Sequence, residues 1–428
     1  MLNNARITLL IFISVFVSSI TFFTSPFEGY LHYIVFLILL PGFYVRFGVP
    51  KTPFKLLFLP FVLGILQIYS GNNTWGGFMK IFIGVLLSAS FYQYVIMHYK
   101  FDIEKIFIYY LKGVYIVSMI GIFQVISYYI GFTPGYDYKW ILNKWGVVAN
   151  SSGGLRMNSI FPEASQCAIM IAPAALIVIY NIIFRKNYFI HTQKGILILL
   201  ATVLTTSSTG FIGFFISGIL IMLNHAKISN ILGASVLFFA LGSLLYNNSP
   251  EFRKRVDSGL GLWLDEDFSV ENVNSSSFVL YNNYHIALEN FKSNPIAGSG
   301  LGSHAVAFEK YSLTKQAGVL NIQFNKSDAN SMFLRLMSET GIIGVIFILI
   351  FIFKFHVTRN KKLDDSQHWI ISSALLVIII LYLFRQGNYF INGFPLFMWM
   401  YYYNYANYKT KYKKSIEPEV LNPKLANA

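Results

Sequence analysis

The chain has 428 residues, 55% of them hydrophobic and 12% charged, where soluble domains carry about a quarter charged residues; so few charges cannot cover a water-facing surface, which excludes a soluble globular protein. The formal charge of +14 is not a nucleic-acid footprint, because Lys and Arg sit in short clusters between apolar runs and form no basic stripe interleaved with stacking aromatics. Cys167 is the lone cysteine, which excludes an intramolecular disulfide and a thiolate metal site.

A helix needs about 20 apolar residues to cross a hydrocarbon core of about 30 Å. Runs that meet this need, separated by polar or glycine breaks, predict spans over 6–23, 30–45, 53–69, 77–97, 106–130, 162–184, 195–206, 209–223, 228–246, 330–353, 368–384 and 389–405. The first follows the basic start Met1 to Arg6, and the stretch at Ser25 is a poor small-residue cleavage site, so it reads as an uncleaved span. The seventh and eighth are short and meet at Thr205-Thr206-Ser207-Ser208-Thr209-Gly210, whose hydroxyls can satisfy freed backbone groups at a bend inside the membrane. The expected fold is an all-α polytopic membrane protein of about twelve transmembrane helices, one integral membrane domain over 1–428.

Positive charge in short loops marks the cytoplasmic side. Alternate connections hold Arg46, Lys51 and Lys55, then Lys100 and Lys105, then Arg185, Lys186 and Lys194, then Lys227, then Lys354, Arg359, Lys361 and Lys362, and the tail holds Lys409, Lys411, Lys413 and Lys414. Both termini are therefore expected in the cytoplasm. Two longer segments, 131–161 and 247–329, fall outside. A structureless loop as long as the second is uncommon, and Tyr281, Tyr284, Leu288 and Phe291 repeat there at helical spacing between the Ser275-Ser276-Ser277 cap and Pro295 with Gly298, which predicts an amphipathic helix.

No GK[ST] phosphate loop, G-x-S-x-G or H-E-x-x-H pattern is present. Gly298-Ser299-Gly300-Leu301-Gly302 follows no predicted strand and reads as a tight external turn. His285 and His304 alone fall on the outer face, too few for a three-ligand zinc site, although a carboxylate-held divalent ion stays open. Arg253, Lys254 and Arg255 read as a solvated or headgroup-facing run. The informative charges lie at the outer mouth. Arg335 sits inside a predicted span with Glu339 one turn deeper, and such residues are either an i, i+4 ion pair or part of a functional site. Arg385 ends another span on the same side, and Arg156 closes the first outer loop just before Pro162 and Glu163. Glu163 beside Pro162, taken as the first helical residue, also fits simple stabilisation of a helix N-terminus. Several guanidiniums at one mouth suit a phosphate-bearing substrate, since the planar fork binds phosphate oxygens two at a time.

The block Leu155-Arg156-Met157-Asn158-Ser159-Ile160-Phe161-Pro162-Glu163-Ala164-Ser165 resembles the arginine-to-Glu-Pro-Ser stretch of the O-antigen polymerase and O-antigen ligase family, here ordered Pro-Glu-Ala-Ser. Leu204 to Gly210 is similar to the family's Ser/Thr-rich break, Asn294 to Gly302 to its glycine turn, and Asp328 to Gly344 to its Glu-x-Gly-Ile-x-Gly approach to a span. Ligases of the family place a histidine eleven residues before the glycine of that element; counting back from Gly341 gives Asn330, and an amide is no general base. The resemblance therefore implies a polymerase, a metal-independent glycosyltransferase without cofactor, in the bacterial inner (cytoplasmic) membrane with a periplasmic active site. It would move a growing glycan from undecaprenyl pyrophosphate onto a lipid-linked repeat unit, with membrane lipids and a chain-length regulator as further partners and no nucleic acid. Arg156, Arg335 and Arg385 are the expected pyrophosphate ligands, and Glu163, Asp328 and His304 the candidate bases, with Asn330 positioning a neighbour. An O-antigen ligase is the alternative, and a lipid-linked oligosaccharide flippase the alternative from another class, though neither the 247–329 segment nor the Ser/Thr break has the second copy that a transporter's repeats would supply.

Overall fold

The computed structural model describes residues 3–23, 28–149, 154–225, 243, 246–247, 250–264, 275–315, 325–360 and 366–416. In chain order the helices are α1 (Asn4–Phe16), α2 (Leu31–Phe47), α3 (Lys51–Tyr69), α4 (Trp75–His98), α5 (Ile103–Tyr129), α6 (Thr133–Tyr136), α7 (Ala164–Phe184), α8 (Thr192–Leu204), α9 (Ser208–His225), α10 (Pro250–Leu264), α11 (Ser275–Ser293), α12 (His304–Tyr311), α13 (Met332–Lys354), α14 (Ser366–Arg385) and α15 (Phe394–Ile416). No strand occurs among the described residues. Among the described residues seven helices are long and apolar enough to cross a membrane, and α1, α2 and α8 are shorter apolar helices. The chain is a multi-pass helical membrane protein. Eleven of the twelve expected spans correspond to helices; the remaining one, 228–246, lies outside the described residues except for Ser243 and Tyr246, as do Lys227, Lys361 and Lys362.

The centre of the bundle is α7 against α9 and α14. In both α7 and α14, 78% of the spanning stretch is buried, whereas α3, at 11%, lies at the periphery. Lipid is as apolar as Leu, so membrane helices associate by close packing at small residues. That explains why α7 carries Ala164, Cys167, Ala168, Ala172, Ala174 and Ala175 in its buried set, with Gly213 of α9 set against Ala172.

Cross-links separate the two ends of the bundle. At one end Tyr94 donates to Gly48 O, Thr8 meets Tyr99, Asn407 donates to Phe101 O and the Arg359 amide donates to Asn224. At the other, Ser19 Oγ donates to Ile160 O, the Met157 amide to Leu204 O, Asn72 to Asn294, and Asn73 to Leu301 O. The described connections rich in Lys and Arg gather at the first end, as the charge alternation requires. The second is the outer end.

Four expectations need correction. The first span does not run to residue 23: α1 stops at Phe16, and residues 20–23 pair with 28–31, with Phe22 N on Gly29 O and Leu31 N on Ile20 O. Ser19 and Thr21 draw the chain out of the helix, through Ile160 O at 2.6 Å and Asn143 Oδ1 at 2.9 Å. The last helix starts at Phe394, not 389, because a 3-10 turn at Ile391–Gly393 with left-handed Asn392 precedes it. Pro162 is not the first helical residue, since α7 begins at Ala164 with Glu163 as its N-cap.

The fourth correction concerns 330–353. Gly341 breaks α13 with φ 61° and ψ −156°. In an unbroken helix Ile342 N would bond Ser338 O, and Ile343 N would bond Glu339 O. Instead the segment Pro295 to Gly300 is inserted between those partners. Ser299 N donates to Ser338 O at 3.1 Å and Gly300 N to Glu339 O at 2.8 Å, while Ile342 N and Ile343 N donate to Pro295 O and Ile296 O at 2.9 and 3.3 Å. The expected glycine turn is present, with Gly298, Gly300 and Gly302 all at positive φ.

A Cβ at Gly341 would lie 2.5 Å from Ile296 O and 2.6 Å from Gly298 N. Gly341→Ala is therefore expected to lower the thermal midpoint of the purified protein, since the backbone conformation alone costs about 1–3 kcal/mol. Gly42→Ala, which meets nothing within 4 Å, should leave the midpoint unchanged or raise it; a thermal melt of both in one detergent checks the pair.

Candidate functional site

The outer end of α13 is fixed by Ser331, which caps the helix through Leu334 N and donates its hydroxyl to Leu383 O of α14 at 2.8 Å. One turn on, Arg335 points into the protein. Its Nε donates to Glu339 Oε1 and its Nη1 to Gly387 O, both at 2.8 Å. Tyr389 donates its hydroxyl to Glu339 Oε2 at 3.0 Å and lays its ring 4.5 Å from the guanidinium carbon. The two charged side chains are only 2% and 0% exposed. The i, i+4 ion pair considered from the sequence is thus present, and Nη2 alone of the guanidinium nitrogens has no partner among the described residues.

Gly387 connects this pair to the segment before α13. Its backbone approaches Asp328 O so closely that a Cβ there would lie 1.5 Å from that oxygen. Ala329 and Asn330 take positive φ of 56° and 51°, a conformation costly for non-glycine residues and held only where the surroundings enforce it. Asp328 supplies the enforcement, with its Oδ1 accepting from Asn330 N at 3.1 Å and Asn325 Nδ2 at 3.2 Å. Burial raises the Asp328 carboxyl above the usual range, and Glu163 adds to this, against the opposing effects of the hydrogen bonds and of Arg335.

The second part of the site comes from the 155–163 block and the end of α14. Gln124 of α5, fully buried, donates to Asn158 Oδ1 at 2.8 Å and accepts from the Ser159 amide at 2.9 Å. Asn158 in turn donates to Gly146 O and Phe161 O. With Arg156 N on Val148 O and Met157 N on Leu204 O, the block becomes a rigid plug against the α8–α9 break. That break, at 205–207, is the bend expected from the Ser/Thr run, with Thr205 and Ser207 buried. Half-buried Arg156 and exposed Glu163 both act on the charge of half-buried Arg385. Glu163 accepts from Ser165 Oγ at 2.9 Å and makes no side-chain cap bond to α7, while Arg385 Nη1 has no hydrogen-bond partner among the described residues.

The candidates thus converge on the outer end. Arg156, Glu163 and Arg385 are one group; Asp328, Asn330, Arg335 and Glu339 are another, and Glu163 and Asp328 feel each other across them. His304 stands behind, wholly buried, with Nε2 3.3 Å from Asn283 Oδ1, and burial together with the Arg335 charge lowers its pKa to about 3. A neutral imidazole shut off from solvent is poorly placed to meet a substrate hydroxyl. Among the described residues no three His, Cys, Asp or Glu side chains gather as a metal site. Sequence reasoning missed Tyr389, Gly387 and Gln124, none of which carries a spacing signal. The arrangement offers two half-exposed guanidiniums for an anion and one carboxylate of raised proton affinity beside them.

The family model described as O-antigen ligase matches residues 195–349, from α8 through the inserted segment into the second half of α13. Over these residues the chain is similar to that family. No curated protein matches the chain.

Removing one partner of a buried ion pair costs about 3–5 kcal/mol, whereas replacing both by apolar residues can be neutral. Arg335→Leu should therefore give poorly folded protein, and Arg335→Leu with Glu339→Leu should restore the yield and elution profile on size-exclusion chromatography. A double variant no better than the single would show that Gly387 and Tyr389 depend on the charges themselves.

Proposed function

We propose, from the O-antigen ligase family domain at 195–349 and from the charges gathered at the outer end, that the chain is a polysaccharide repeat-unit polymerase of the bacterial inner membrane. It acts at the periplasmic face on glycans linked to undecaprenyl pyrophosphate. The observation that carries the reading is that Arg156 and Glu163 act on the charge of Arg385 at the outer end, and Glu163 on that of Asp328.

In the reaction the bond between the anomeric carbon of the growing glycan and its phosphate oxygen breaks. A new bond forms from that carbon to a hydroxyl of the incoming lipid-linked repeat unit. The electron pair leaves with undecaprenyl pyrophosphate, already a stable anion, and donors aimed at developing charge are usually the largest catalytic contribution. Arg156 and Arg385 supply them. Arg335, with two nitrogens committed to Glu339 and Gly387, braces Asp328 from behind. Asp328 takes the hydroxyl proton, because its raised affinity for protons makes it a better base than an ordinary carboxylate while Arg335 keeps it ionisable. Asn330 fixes the Asp328 carboxylate through its backbone N–H.

A second reading, an O-antigen ligase that delivers polymer to a lipid A core, has the family description in its favour. Asn330 speaks against it, standing where the resemblance expects a histidine. A deletion strain separates the two. A polymerase deletion leaves lipid A capped by single repeat units, whereas a ligase deletion leaves an uncapped core and accumulating lipid-linked polymer.

Purified protein given a lipid-linked repeat unit should produce a ladder of polymer. Arg156→Ala should cut turnover by about 100-fold or more, and Arg156→Lys should recover little, because an ammonium lacks the planar fork. Full activity in the alanine variant would remove Arg156 from the site.

The pH profile tests the base. A base works only when deprotonated, so activity should fall as pH drops through the Asp328 pKa, at a higher pH than an ordinary aspartate would give. Asp328→Asn should remove both the activity and that acidic limb; an unchanged limb in residual activity would assign the base elsewhere.

A further inference from the structure

A third group of polar side chains stands at the outer end, unused by the reaction as written. Glu28, beside the pairing of 20–23 with 28–31, meets Lys144 of the first outer loop at 2.6 Å. Lys144 also donates to the Tyr30 hydroxyl at 2.7 Å and lies 4.8 Å from that ring's centroid, and Tyr30 donates to Glu28. The pair is half-exposed, 37% for Lys144 and 41% for Glu28. Ion pairs of that exposure contribute about 0–1 kcal/mol, so stability does not account for how firmly this one is mounted. The Lys144 amide bonds Ser19 O, Asn143 accepts from Thr21 N and returns a bond to Thr21 O, and Trp145 Nε1 bonds Ser159 O.

The group adjoins the reacting end. Tyr33, half-buried on the first turn of α2, meets the Phe390 ring at 6.1 Å; Phe390 ends the short segment that begins at Gly387, the residue in contact with Asp328 O. The Asp328 charge is felt at the Tyr30 hydroxyl. In charge, too, the group differs from the arginine site. Arg156, Arg385 and Glu163 leave a net positive charge that suits phosphate, whereas Glu28 and Lys144 cancel, with the exposed Lys80 of α4 within charge reach of Glu28. A balanced set of one carboxylate, one ammonium and an aromatic ring offers acceptors, donors and an apolar face, which is what a neutral ring bearing many hydroxyls requires.

We propose that Glu28, Lys144 and Tyr33 form a saccharide subsite that holds the acceptor's sugar rings beside Asp328, with Tyr30 positioning the ion pair; the assignment to the acceptor rests on the transferase reading above. The loop 131–161 then carries both specificities, phosphate through Arg156 and sugar through Lys144.

The test uses the repeat-unit oligosaccharide released by mild acid from the strain's own lipid-linked precursor, with saturation-transfer NMR against the full-length protein in nanodiscs. Wild type should show transfer to the sugar protons, and Glu28→Gln with Tyr33→Leu should lose it. In the ladder assay the same variant should raise the acceptor KM about tenfold while kcat changes by less than about threefold. Because breaking the pair risks the fold, Glu28→Lys with Lys144→Glu provides the control: it keeps an ion pair and should fold yet bind no oligosaccharide. Wild-type binding in the swapped protein, equal binding in the first variant, or no transfer to wild type would each overturn the subsite. Oligosaccharide binding lost in both variants, with no ladder from wild type, would uphold the sugar site and sink the transferase reading alone.

Discussion

The exchange of hydrogen bonds at Gly341 is the constraint on which the outer half of the molecule depends. Four backbone groups of α13 are released by the break, and all four are taken up by Pro295, Ile296, Ser299 and Gly300. In a membrane interior each such group left alone costs several kcal/mol. The helix can stay broken only while the segment is docked, and Gly298 must lack a side chain there, since a Cβ would lie 2.4 Å from Glu339 C and Thr340 N. This fastens the 275–315 part of the outer cap to the bundle by the backbone itself, reinforced by Asn290, whose amide donates to Ser299 Oγ and Ser338 Oγ. Glu339, whose carbonyl is one of the four released groups, is thereby held beside Arg335 and Tyr389.

From that anchor outward the charges follow the dielectric. Deep in the protein Arg335 and Glu339 balance each other, with a neutral tyrosine on both, because a buried charge persists only when paired. At the mouth, where solvent reaches, Arg156, Arg385 and Glu163 are allowed a net positive charge. Glu28 and Lys144 share its exposure but not its surplus. Three neighbouring groups of charges therefore differ in how far they are neutralised.

The converging residues come from segments far apart in the chain, 156–163, 328–339 and 385–389. They meet because α7 and α14 are neighbours in the centre of the bundle, so that the start of one and the end of the other share the outer end, and because Ser331 ties α13 to Leu383 at the same level. The plug at 155–163 is rigid for a different reason. Its backbone has no helix to satisfy it, and Gln124 with Asn158 supplies the bonds instead.

By itself the sequence determined the helical membrane class, the order of the helices, the sorting of their connections to two ends and the bend at Thr205 to Gly210, since apolar run length, Lys and Arg placement and hydroxyl clusters act locally. It also singled out Arg156, Glu163, Asp328, Asn330, Arg335 and Arg385, because a charge or a family motif at a span end is conspicuous in one dimension. Only the tertiary structure decided that α13 is broken and that the first helix ends at Phe16. It likewise decided that Arg335 reaches Gly387, that His304 is sealed, and that Glu28 meets Lys144. Each of these depends on a partner more than forty residues away, or, for His304, on helices packed over it. Hydropathy sees a continuous apolar run at 330–353, and nothing in that run shows that residues 295–300 will supply its missing hydrogen bonds.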